Sequence, residues 1–184
     1  MAEEARLTET PEGLVPASDG WFVLNVRDAS WFRSERFGAA GRFENRDAPF
    51  SHLGINIRVL QPGQPNARYH SESTQEDFLV LAGECLLVVE GQERSLGAWD
   101  VVHCPPGTAH VFVGSGSGPC VILMVGARAD NRSLLYPVSE VALRHGAGVE
   151  SETTDPAQAY AGTLRAEPGR PPRWNELPWS RPVE

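Results

Sequence analysis

The chain has 184 residues, 41% of them hydrophobic, which is enough for one domain with a genuine core plus extensions. Its net charge of −8 speaks against nucleic acid or an anionic membrane as the main partner. The longest apolar run, Val121 to Val125, is far too short to span a bilayer, and the polar, acidic start lacks a signal-peptide pattern, so a cytoplasmic protein is expected.

Residues 1–19 are polar and interrupted by Pro11, Gly13 and Pro16, and read as a flexible arm. Trp21 to Val26 is the first strand by pattern. Asp28 then offers an N-cap for a short helix through Arg33, stopped by Gly38. Residues 38–53 read as loop, with Arg42 and Arg46 as solvated arginines or as residues facing a pocket mouth. Gly54 to Leu60 is an apolar, β-branched strand, and Pro62-Gly63-Gln64-Pro65 is turn chemistry.

The stretch from Arg68 to Leu81 reads as extended, with Gly83 marking a tight turn. Strands follow over Glu84–Glu90, Trp99–Cys104, Ala109–Val113 and Cys120–Val125. They are separated by Glu90-Gly91, Pro105-Pro106-Gly107 and a glycine-serine turn. Short strands with turn signals every eight to twelve residues predict an all-β sandwich or barrel. Helices are expected only afterwards, at Ser139–His145 and after the N-cap Asp155, with Pro156 in the first helical position. The remaining residues to 184 form an extended tail, with Trp174, Leu177 and Trp179 as anchors on a surface that could be a partner subunit's.

Side chains alternate faces along a strand, so His70, Glu72 and Glu76 share one face of an extended segment. His110 opens another strand. Two imidazoles and two carboxylates make a nitrogen and oxygen set suited to a divalent ion. Without metal, Glu72 and Glu76 would repel and one should take up a proton. His103 is a candidate acid/base residue or wall histidine, and His52 and His145 read as surface residues. Phe78, Val80, Trp99, Phe112 and Met124 read as core or pocket lining. Cys85, Cys104 and Cys120, lying within apolar strands, read as buried reduced thiols.

Two blocks here resemble the paired motifs of the cupin superfamily over roughly Gly54 to Val125. In the first, His70 matches the leading histidine and Glu76 the glutamate, with Gly83 at the expected spacing beyond it. Glu72 stands where the family has a second histidine, and Gly63 comes one residue early. In the second, Pro105, Gly107 and His110 match, while Trp99 replaces the opening glycine and Gly114 the closing asparagine.

The resemblance implies a double-stranded β-helix, or jelly-roll, barrel over residues 20–136, followed by short helices and an extended tail over 137–184. It implies one divalent metal (Zn, Fe, Mn or Ni) on His70, Glu72, Glu76 and His110. It also implies a small metal-dependent enzyme of dioxygenase, isomerase or decarboxylase type, acting on a small oxygenated substrate, with His103 moving protons. The alternative is a non-catalytic pocket for a sugar or carboxylate. Exposed sheet edges lead us to expect a homodimer.

Overall fold

The structure is a computed structural model that describes residues 1–45 and 47–180; Arg46 and the end of the tail lie outside the described residues. In chain order the strands are β1 (Leu7–Thr10), β2 (Gly13–Pro16), β3 (Ser30–Ser34), β4 (Gly38–Arg42), β5 (Leu53–Leu60), β6 (Ser71–Glu72), β7 (Glu76–Ala82), β8 (Glu84–Val89) and β9 (Gln92–Gly97). They continue with β10 (Val101–Cys104), β11 (His110–Gly114), β12 (Cys120–Ala127), β13 (Leu134–Leu135) and β14 (Glu167–Pro168). The helices α1 (Glu140–Arg144) and α2 (Pro156–Ala159) are short.

A seven-stranded sheet in the order β10-β7-β12-β5-β4-β3-β14 faces a three-stranded sheet, β11-β8-β9. Between them lie Leu60, Phe78, Val80, Leu87, Phe112, Ile122 and Met124, with all three cysteines as free buried thiols. Local chemistry closes the turns as expected. Gly83 has φ 74°, and a Cβ there would meet the Pro119 carbonyl oxygen at 2.3 Å, so only glycine fits. Glu90 and Gly91 both take positive φ in the two-residue turn between β8 and β9. Ser139 and Asp155 cap their helices, each accepting a backbone N–H two or three residues on.

The N-terminal region departs from expectation. Residues 7–16 pair as the hairpin β1–β2 rather than a loose arm. Of Trp21 to Val26 only Trp21 makes a bridge, to Glu4, and Val23 is exposed. The segment expected to be helical is strand β3, and part of the expected loop is β4. The reason is tertiary: Trp31, almost fully buried, packs edge-on to Trp174 at 5.4 Å and against Trp179 at 5.5 Å. These come from the tail, which therefore covers its own barrel, with Leu177 fully buried among Ile57, Val59 and Val121. Burying that leucine contributes about 2 kcal/mol. Trp99 also departs, being exposed rather than pocket lining, and it holds φ 77° at the position where the resembled motif has glycine.

Candidate metal centre

His70 and His110 face each other across an antiparallel bridge, joined by both backbone hydrogen bonds, His70 N to His110 O at 3.2 Å and the reverse at 2.8 Å. Directly opposite residues share a face, so the two imidazoles lie together with ring centroids 5.2 Å apart. Glu76 opens β7, and its Oε2 lies 3.6 Å from His110 Nε2. One ligand atom from each of His70, Glu76 and His110 can be chosen so that all lie within 4.8 Å of one another.

Each imidazole is held the same way. Nδ1 of His70 lies 2.7 Å from the Arg68 carbonyl and Nδ1 of His110 lies 3.1 Å from the Thr108 carbonyl. A carbonyl only accepts, so each Nδ1 carries the proton and donates it. Each Nε2 keeps a free lone pair.

Burial then sets the charges. It pulls His110 down to about 4, with the neighbouring His70 adding to the effect, and it lowers His70 as well. It pushes Glu76 up to about 8, with Glu72 as the second cause and Arg132 partly offsetting both. Glu76 therefore holds the proton expected of one member of the glutamate pair.

Glu72, the fourth expected ligand, lies at the edge of this group. Its Oε1 is 3.9 Å from His70 Nε2, but both its oxygens are 3.1 Å from one Arg132 nitrogen, and Thr74 donates to Oε2 at 3.3 Å. His103 is not brought to the cluster. It pairs in register with Asp77, while Glu76 pairs with buried Cys104, so His103 takes the opposite face of β10. There it is 55% exposed, with Nδ1 2.6 Å from Asp77 Oδ1. His145 binds Glu93 at the surface, and His52 is exposed.

An aromatic wall surrounds the cluster. Phe78 and Phe112 approach His110 at 5.1 and 6.1 Å, and Tyr136 lies 5.9 Å from His70, its hydroxyl pushed up to about 12 by burial. Arg132 and Tyr136 were missed by sequence reasoning. Both follow β12, where no motif or periodicity marks them.

Residues 56–126 match the family model described as "Cupin domain". Among solved structures, the chain is similar to a sugar phosphate isomerase of the cupin superfamily from Silicibacter pomeroyi, at 23% identity over 61% of this chain and 79% of that one, with a TM-score of 0.53. It is similar to a polyketide cyclase from Streptomyces resistomycificus, at 17% identity over 58% and 79%, with a TM-score of 0.51. A protein from Acidithiobacillus ferrooxidans proposed to be a sugar phosphate isomerase is 28% identical over 46% of this chain, with a TM-score of 0.44, and the match spans 55% of its length. No curated protein matches the chain in sequence. The likenesses to the Silicibacter pomeroyi and Streptomyces resistomycificus proteins support the barrel, whereas function has to be argued from the site.

Proposed function

The barrel of this chain is a cupin domain, and from that premise we propose that His70, Glu76 and His110 hold one divalent metal ion that serves a reaction on a small oxygenated substrate. The observation that carries this reading is the matched orientation of the two imidazoles. Each is locked by a carbonyl at Nδ1, the arrangement that orients metal-binding histidines, and each presents Nε2 toward a carboxylate. Two neutral imidazoles and a carboxylate suit Zn, Fe(II), Mn or Ni.

A bound ion would supply Lewis acidity to a substrate carbonyl or hydroxyl, as isomerisation, decarboxylation or oxygenation requires. The chain's own groups do the rest. Glu76 gives up its proton when it becomes a ligand. Glu72, held by Arg132, stands beside the ligands as a carboxylate able to take a substrate proton. Phe78, Phe112 and Tyr136 keep water away from the cluster.

Metal content by mass spectrometry on untagged protein, beside His110→Ala, tests the reading. About one ion per chain, lost in the variant, is expected. No metal in the wild type, even after reconstitution with Zn, Mn, Fe(II) or Ni, overturns it and leaves a non-catalytic ligand pocket. With metal established, turnover of small sugars, keto acids and their phosphates is the assay that separates the reaction classes.

A further inference from the structure

The inner face of β5 holds a charge that nothing in the described chain answers. Arg58 lies opposite Ile122 of β12 and Ala40 of β4, and Asn56 lies opposite Met124. Ile122 and Met124 belong to the barrel core, so Asn56 and Arg58 face into the barrel, while Ile57 and Val59 face the tail. Among the described residues the Arg58 Nε is sealed from water without an acceptor, and the Asn56 Oδ1 is sealed without a donor.

Arg58 lines a cavity of about 340 Å³ together with Phe32, Arg42, Tyr160, Thr163 and Arg165. Among the described residues no aspartate or glutamate lines it, although the chain carries a net charge of −8. The Thr163 hydroxyl in its wall is a further buried group without a partner, and Arg42 stacks over Phe32 at 4.6 Å. Burial pulls Arg58 below the ordinary arginine value; Tyr160 offsets part of this, and the like charge of Arg42 adds to it. Arg58 is half-buried with its Nε sealed, and a guanidinium drawn out of water without a counter-charge carries a cost that an anionic ligand would reduce.

A row of cross-strand neighbours leads from Asn56, two residues before Arg58 on the same face of β5, to the metal centre. Asn56, Met124 and Phe78 are successive cross-strand neighbours, and the Phe78 ring lies against His110.

We propose that this cavity is the subsite for the anionic end of the substrate, a carboxylate or phosphate held by Arg58 with Arg42, while Asn56 accepts a hydrogen bond from a substrate hydroxyl between that end and the metal. The substrate class is then a hydroxy or keto acid, or a phosphate monoester, rather than a neutral sugar. The proposal rests on the metal reading only for the reacting end. The planar fork of Arg58 matches either anion with two parallel hydrogen bonds.

Calorimetric titration of chelator-treated, metal-free protein with inorganic phosphate, and separately with succinate, at constant ionic strength tests it. The preferred anion identifies the source. Saturable binding of at least one is expected, weakened about tenfold or more in Arg58→Met and unchanged in Arg144→Gln, an exposed arginine elsewhere. No saturable binding of either anion to the wild type overturns the proposal, and so does equal binding by Arg58→Met. Should Arg58→Met fail to fold, Arg58→Lys takes its place, with a several-fold loss expected and wild-type binding overturning the proposal. Metal content measured on separate untreated samples keeps the two readings apart. Anion binding without metal leaves the subsite standing and removes the metal, and metal without anion binding does the reverse.

Discussion

Glu76 and Asp77 are neighbours in sequence, each has a histidine beside its carboxyl, and the two pairs behave in opposite ways. His103 Nδ1 lies 2.6 Å from Asp77 on the exposed face, and that hydrogen bond, with a second from Gln75, holds the Asp77 carboxyl below its ordinary value. On the inner face, His110 is 1% exposed and its Nε2 is 3.6 Å from Glu76, yet burial raises the Glu76 carboxyl to about 8 and lowers His110 to about 4. The exposed pair is an ordinary surface contact. The buried pair is two groups kept neutral by desolvation, ready to exchange a proton for a cation. The same residue types yield different chemistry because alternation along one strand sends them to different dielectrics.

The largest effect should come from breaking the buried side. Glu76→Gln is expected to weaken metal binding by about a hundredfold or more, read by competition with a chelating dye, because a neutral amide replaces the anionic ligand.

The pH profile sharpens the contrast next. Below about 8 a metal must displace the Glu76 proton. Affinity should therefore rise about tenfold per pH unit from neutrality to that point and then level off. Stability of the metal-free protein should move the other way. Glu76 has a folded value above its unfolded one, so its contribution is complete below about 4.5 and is lost as pH rises through about 8. His110 has a folded value below its unfolded one, so its contribution is present above about 6.5 and is lost as pH falls through about 4. Chemical denaturation across pH 4–9 should show stability falling above neutrality in the wild type, with that fall absent in Glu76→Gln.

The smallest effect belongs to the exposed pair. His103→Ala and Asp77→Asn should change stability by less than about 1 kcal/mol and leave metal content unchanged. A loss of metal in either would bring His103 back to the site.

Much of the barrel was legible because its signals are local. Positive φ at Gly83 and Gly91 and the side-chain caps of Ser139 and Asp155 each depend on a few adjacent residues. Strand alternation and motif spacing were enough to place His70, Glu76 and His110 among the candidates. The misread segments lack such self-sufficiency. Asp28 offers a helix cap, but Trp31 three residues later is claimed by Trp174 and Trp179 from the far end of the chain, and the segment extends as a strand. Glu72 shares the ligand face by parity, and the partner the fold adds to it, Arg132, lies sixty residues on, out of reach of any local signal.

The sequence by itself therefore determined the all-β class, most turns and the residue types available for a metal, because periodicity and turn stereochemistry act over a few residues. Only the tertiary structure decided which face of each strand is inside. In β5 the apolar residues Ile57 and Val59 point outward and are covered by the tail, while Asn56 and Arg58 point into the barrel. Alternation is symmetric between the two faces of a strand, so the packing of distant segments has to choose between them.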